Sequence, residues 1–325
     1  LPLPSREERR NSIYTASYNL FRLDADKVTF DLLTDSGTCA MSNLQWAGVM
    51  MADESYAGSR SFRHFEKTIQ NLTGMSEVIP THQGRAAEAL LMKALVPSGS
   101  IVIGNTHFDT TRANIENVEA QALDLPCADA FDSEIENPFK GNIDIAKLKK
   151  TIEEKKQQIS LIIMTITNNS VGGQAVSMKN LTQVSQLAKQ ASIPFYIDAA
   201  RFAENAFLIK LREEGFSSAT AEQIAKSFFE LSDGVLMSAK KDGFGNIGGF
   251  LALRDLALAN KIRAQMVVTE GFPTYGGLAG RDLEALSVGL KEVLDENYLS
   301  YRIRSTAYFG EGIEAAGFKV VKPFG

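Results

Sequence analysis

The sequence predicts an α/β fold with a mostly parallel sheet covered by helices. Two observations carry this. Short apolar, β-branched runs alternate with longer segments whose apolar residues recur at spacings of three and four, the alternation that builds parallel strands joined by helices. The short runs are also apolar at consecutive positions rather than at every second one, as strands covered on both faces require. With 325 residues the chain can bury a large core without a disulfide or metal staple.

The strands are expected at 101–103, 161–166, 194–197, 234–237 and 249–253, with helices at 143–156, 178–190 and 221–231 between them. Beyond the glycine-rich turn 271–277 the texture changes. A helix is expected at 282–297, a second at 301–316, and a strand at 318–321. A lone helix-strand unit does not make a self-supporting domain, so the end at Gly325 reads as an interruption.

Composition excludes several classes. Thirty-four basic against 39 acidic residues leave a net charge of −5, and without a long basic run nucleic acid is not expected as a partner. Hydrophobic content of 44% with 22% charged residues is globular and excludes a disordered chain. Two cysteines, Cys39 and Cys127, fit a reducing compartment, so the cytoplasm is expected. No apolar run approaches the ~20 residues of a membrane helix. The opening Leu1-Pro2-Leu3-Pro4-Ser5-Arg6-Glu7 has no signal-peptide pattern, and it lacks a methionine, so an upstream segment is expected to be missing.

Familiar chemistries can be tested and dropped. Gly243-Phe244-Gly245-Asn246-Ile247-Gly248 has the glycine spacing of dinucleotide-binding folds, but it runs into a strand-like segment instead of opening a helix. A tight hairpin-like turn is expected there. The chain has no phosphate-binding loop ending in Lys-Ser/Thr and no Gly-x-Ser-x-Gly elbow. His64, His82 and His107 show no zinc spacing and are expected to be packed or solvated.

Polar residues at strand ends remain, where α/β sheets bind their ligands. Asp198 follows the run 194–197, and Arg201 stands three residues on. A buried carboxylate needs a partner, which Arg201 could be; the alternative is the protonated ring nitrogen of a cofactor. Lys241 comes four residues after Met237. Neighbouring Lys240 and partial desolvation would lower its pKa, as a nucleophilic Schiff-base lysine requires. Thr81-His82-Gln83-Gly84-Arg85 precedes an alanine-rich helix, a start suited to a phosphate. This order of phosphate site, aspartate and lysine is that of the aminotransferase-like fold and suggests pyridoxal phosphate.

Longer motifs sharpen this. They are Asp31-Leu32-Leu33-Thr34-Asp35-Ser36-Gly37-Thr38, Asp53-Glu54-Ser55-Tyr56-Ala57-Gly58-Ser59, Asn169-Ser170-Val171-Gly172-Gly173-Gln174, Arg201-Phe202-Ala203-Glu204-Asn205-Ala206 and Glu270-Gly271-Phe272-Pro273-Thr274-Tyr275-Gly276-Gly277. With these the chain, from about Ser5 to Gly325, resembles the β-eliminating aromatic amino-acid lyases, the family of tryptophanase and tyrosine phenol-lyase. The resemblance implies three parts. These are an N-terminal arm at 1–33, a large pyridoxal-phosphate-binding domain at 34–280, and the opening of a small α+β domain at 281–325 that is incomplete. Family members continue beyond Gly325, and the arginine that grips the substrate carboxylate is expected in that continuation.

The resemblance also implies roles. Lys241 would carry the cofactor and then remove the substrate α-proton, with Lys240 shaping the electrostatics and contacting water. Gln83, Gly84, Arg85 and Ser238 would hold the phosphate. Phe108 would stack on the pyridine ring, Asp198 would meet its nitrogen, and Asn169 with Arg201 its phenolic oxygen. Tyr56 would be the general acid for the leaving group, supplied by a neighbouring subunit of a homotetramer, a dimer of dimers with shared active sites. Thr34, Ser36 and Tyr275 would line the site. Glu54 and the carbonyls of Gly37 and Asn246 would hold potassium, a hard cation suited to oxygen ligands. Phe108-Asp109-Thr110-Thr111 places an acid where tyrosine phenol-lyases have threonine. An acid there suits an indole leaving group, so the expected activity is β-elimination of L-tryptophan. Release of phenol from tyrosine, or a non-catalytic relative kept as a binding module, is the alternative.

Overall fold

The β-branched runs do become strands. The computed structural model describes residues 3–38 and 40–325, so expectations on Leu1, Pro2 and Cys39 fall outside the described residues. Seven strands form one sheet: β1 (Glu77–Thr81), β2 (Ile101–Gly104), β3 (Gln121–Asp124), β4 (Ile159–Thr165), β5 (Phe195–Asp198), β6 (Gly234–Ser238) and β7 (Gly249–Leu253), in the order β1-β7-β6-β5-β4-β2-β3. Strand β7 runs antiparallel to both β1 and β6, and every other pairing is parallel.

The consecutive apolar residues feed two cores, because successive side chains leave a strand on opposite faces. In β4, Ile162 and Met164 join one core with Phe195, Ile197 and Val235, while Leu161 and Ile163 join the other with Val102, Tyr196 and Leu251. Helices Arg60–Thr73, Met178–Ala191, Phe202–Arg212 and Ala221–Phe229 contribute to the first core. Helices Gly84–Leu95, Asp109–Asn117 and Leu256–Thr269 contribute to the second. Ser177 and Thr220 cap their helices through side-chain oxygens, each worth about 1 kcal/mol.

Some boundaries differ from the expected ones. The two helices expected at 282–297 and 301–316 are Gly280–Glu292 and Glu296–Ala315, so the break between them falls about five residues earlier. Asp295 accepts from the N–H groups of Asn297 and Tyr298 and so caps a new start where the pattern reads as continuous. Residues 318–321 are not a strand. Nearby Lys322 N–H donates to the Ser133 carbonyl of a loop at 3.0 Å, and no ladder forms among the described residues. The turn after β6 does join an antiparallel hairpin, but over the longer stretch 239–248. Edge strands β1 and β3 lacked the expected signature: β1 contains Pro80, tolerated at an edge, and β3 is half polar.

Residue 281 lies in the first turn of Gly280–Glu292, whose Leu283, Leu286 and Leu290 enter the first core. Among the described residues no helix is long and apolar enough to cross a membrane. Cys127 is free, and burial pushes its thiol pKa up.

Candidate active site

Parallel pairing brings the carboxyl ends of β4, β5 and β6 to one edge of the sheet, and β1 ends there too. Thr81, Gly249 and Ser238 stand side by side in register at that edge. Helix Gly84–Leu95 begins directly over them, with Gln83 as its N-cap and no capping side chain. Its first N–H groups therefore suit an anion. Glycine is required at this approach. A Cβ on Gly84 would lie 2.7 Å from Ser238 Cβ, and one on Gly249 would lie 2.7 Å from the Gln83 carbonyl carbon.

Lys241 follows β6, half-buried, with Nζ 3.3 Å from Ser238 Oγ and 3.4 Å from Ser36 Oγ. Burial lowers its pKa. The Asp35 carboxylate opposes that most, and among nearby cations Arg201 outweighs Lys240. The lowered pKa matches expectation, although Lys240 contributes least to it.

Asp198 closes β5, buried, and accepts from the Ala200 N–H at 3.3 Å. Burial first, and the Glu88 carboxyl second, push its pKa up to about 7. Arg201 is not its ion-pair partner. The Arg201 guanidinium donates to Asp35 Oδ2 at 2.6 Å and to Asn169 Oδ1 at 3.3 Å. It is drawn away because Arg201 sits at the N-cap of Phe202–Arg212, beyond the strand end. A buried carboxyl with a raised pKa fits the protonated nitrogen of a pyridine ring, which would restore its charge. The Thr167 hydroxyl, in the same cleft, is buried without a hydrogen-bond partner among the described residues. An uncapped helix start, an underserved acid and a desolvated lysine together fit pyridoxal phosphate.

One cleft gathers Ser36, Gln83, Gly84, Arg85, Phe108, Asn169, Asp198, Arg201, Ser238, Lys240 and Lys241. Asp109 stands exposed between Phe108 and Thr110, both of which line it. Tyr56 and Tyr275 stack at 5.1 Å and line a second hollow with Glu54. Thr34 bonds to Asp31 through its hydroxyl at 2.7 Å. Gly37 packs against Asn246, whose carbonyl oxygen would lie 3.2 Å from a Cβ there, while Glu54 accepts from the Gly280 N–H at 3.0 Å. Among the described residues no group of three or more His, Cys, Asp or Glu could hold a metal. Each histidine meets a carboxylate: His64 with Glu284 and His107 with Asp124 at 2.6 Å, His82 with Glu270 at 2.5 Å.

Sequence reasoning missed Asp35, Glu88, Thr110, Thr165 and Thr167, which also line the cleft. Asp35 lay inside a motif already singled out, which was the available signal. Glu88 had one as well, an acid among the alanines and leucines of a helix.

Comparison with known proteins agrees with this geometry. The model of the β-eliminating lyase family matches residues 31–323. A tryptophanase of Hyphomonas neptunium is 52% identical over 323 residues, covering 99% of this chain and 71% of that protein. A tyrosine phenol-lyase of Clostridium tetani is 45% identical over 322 residues, covering 99% and 70%. Among solved structures, the SepCysS–SepCysE N-terminal domain complex shares the fold with a TM-score of 0.61 at 17% identity, over 93% of this chain and 80% of that one. The matched span takes in the phosphate-type helix start, the buried aspartate and the desolvated lysine, and the chain belongs to the β-eliminating lyase family.

Proposed function

We propose that the chain splits L-tryptophan, with one water, into indole, pyruvate and ammonia by β-elimination, using pyridoxal phosphate. The observation that carries this is the meeting of Lys241, Asp198 and the uncapped start at Gly84 in one cleft. Bound pyridoxal phosphate supplies a conjugated ring that delocalises the electron pair left when the α-hydrogen departs. Gln83, Gly84, Arg85 and Ser238 hold the phosphate, and Phe108 covers the ring. Asn169 and Arg201 take the phenolic oxygen. Asp198 keeps a proton on the ring nitrogen. Lys241 anchors the cofactor and then, as an amine whose pKa burial has lowered, takes the α-proton. Lys240 adds positive field and contacts water beside it.

Indole leaves once C3 is protonated, a task for Tyr56, and its ring nitrogen then bears positive charge. Asp109 stabilises that charge more in the transition state than in the ground state, which is what raises a chemical rate. Tyr56, Tyr275 and Thr34 line the substrate side. Tyr56 and Tyr275 belong to the second hollow, so the reading has a neighbouring copy deliver Tyr56 within a homotetramer. Exposed Tyr14, Phe21, Phe30, Trp46 and Met50 support that assembly. Glu54 with the carbonyls of Gly37 and Asn246 holds potassium, and activity should rise when sodium is replaced by potassium, a response that Glu54→Ala should lose. Residues 281–325 open a smaller unit after 34–280, the arm is 1–33, and the compartment is the cytoplasm.

Borohydride should trap the cofactor on Lys241, and tryptophan should yield indole faster than tyrosine yields phenol. Asp109→Ala should slow tryptophan cleavage by roughly one to two decades, since a charge-assisted hydrogen bond contributes about 1.5–3 kcal/mol. Cleavage of an S-alkyl cysteine, whose leaving group needs no such help, should change far less. Equal losses on both substrates would return the reading to tyrosine phenol-lyase.

A further inference from the structure

The motif Phe108-Asp109-Thr110-Thr111 contains two threonines that the proposed reaction leaves unused. The Thr111 hydroxyl bonds to a buried carboxyl, that of Glu88. Thr111 Oγ1 donates to Glu88 Oε1 at 2.8 Å, and Asn114 Nδ2 donates to Glu88 Oε2 at 3.2 Å. The same Asn114 amide reaches the Arg85 carbonyl at 3.3 Å. Glu88 is 4% exposed and lies one turn into helix Gly84–Leu95. Two side chains of helix Asp109–Asn117, Thr111 and Asn114, thus hold a single acid of the helix that opens the phosphate cradle. Both helices begin at the cleft, one at Gly84 and the other directly after Phe108.

A buried acid is costly to keep, and a well-packed apolar residue in its place is often as stable or more so. Stability therefore does not account for Glu88, whereas geometry does. We propose that Glu88 is a positioning residue for the β-elimination: it locks the helix after Phe108 to the phosphate cradle and so fixes the Phe108 ring and Asp109 relative to the cofactor and the leaving group. The inference rests on the functional reading above. Helices packed only through apolar side chains can slide, and a misplacement of about 1 Å can cost on the order of a hundredfold in rate. Hydrogen bonds converging on one carboxyl have no such freedom, because each has a preferred length and direction.

The test uses protein loaded with pyridoxal phosphate and the variants Glu88→Ala, Glu88→Gln and Thr111→Val. Visible circular dichroism reports how the bound chromophore is held, independently of turnover. In Glu88→Ala the absorbance band and the attachment to Lys241 should persist while the visible ellipticity falls to about half or less. On tryptophan, kcat should drop roughly 10- to 100-fold with KM changed less than about threefold. Glu88→Gln keeps an acceptor oxygen for Thr111 and should recover most of both signals. Thr111→Val should show the same changes in smaller measure, and it carries the decision if Glu88→Ala does not fold. Unchanged ellipticity and kcat in the folded variants, with only Tm lowered, would overturn the inference alone. An unaltered chain that shows no cofactor band overturns the functional reading and this inference with it.

Discussion

Asp198 shows how one side chain ties stability to function. An ordinary aspartate titrates near 3.9, and burial with the neighbouring Glu88 raises this one to about 7. Between those values the folded chain keeps a proton that the unfolded chain has released. The contribution of Asp198 to stability therefore falls as pH rises from about 4 to about 7, and is level above. Asp242, pushed up to about 8 by burial, slopes the same way and is common to both proteins compared next. Relative to the unaltered cofactor-free protein, Asp198→Asn should gain roughly 2–3 kcal/mol between pH 5 and pH 8, read from urea midpoints. A constant difference would mean that the acid is solvated. Asp198 and Lys241 were legible because each follows an apolar strand, where burying a charge is costly unless a ligand or an ion pair meets it. Asp35 lay inside a motif that stood out, but its partner Arg201 stands 166 residues away, so the ion pair itself could not be read locally. Glu88 stood out as an acid among alanines and leucines, but its donors lie on another helix and could not be read locally.

At the scale of elements, the helix opening at Gly84 depends on the absence of a side chain. Gly84→Ala would place a Cβ 2.9 Å from both Ser238 N and Ser238 Cα, so the helix start must lift away from the strand end. The dissociation constant for pyridoxal phosphate, followed by its visible band, should rise at least about tenfold, the loss of roughly one charge-assisted hydrogen bond. Gly312, in helix Glu296–Ala315 with nothing within 4 Å of an added Cβ, is the control. Its change to alanine should leave cofactor binding alone and stabilise the protein by about 0.5–1 kcal/mol. An equal effect of both substitutions on binding would remove Gly84 from the cradle. Central strands β2, β4, β5, β6 and β7 were legible because two covered faces demand unbroken apolar runs. Edge β3 buries less and tolerates Gln121, while β1 is mostly buried but is interrupted by Pro80 between polar ends, so their pattern fades. The break between the last two helices was placed a few residues late because Asp295 looks the same as a cap or as a solvated helical residue.

For the whole molecule, the first 56 residues hold a concentration of exposed aromatics and methionines, with Phe21 at 85% and Met50 at 84% exposed. Isolated monomers rarely leave so much apolar surface uncovered. Sedimentation should find an oligomer, and Phe21→Glu with Phe30→Glu should dissociate it and lower kcat together, because Tyr56 would no longer be delivered. Monomeric unaltered protein with full activity would remove the shared site. The gross α/β architecture was legible at this scale, and so was the reversed direction of β7, because the glycine-rich hairpin-like turn expected before 249–253 sends the chain back beside β6. That reversal has a consequence for descent. Gly249 faces Ser238 and Thr81 only in the present register, and dropping one residue between 239 and 248 would bring Phe250 to its place. A phenyl ring would then fill the anion seat, with every side chain of the strand turned to the wrong face. Lineages that keep the cradle must therefore hold the length of this hairpin constant, while insertions can accumulate in the exposed turn 254–255 at the far end of the sheet.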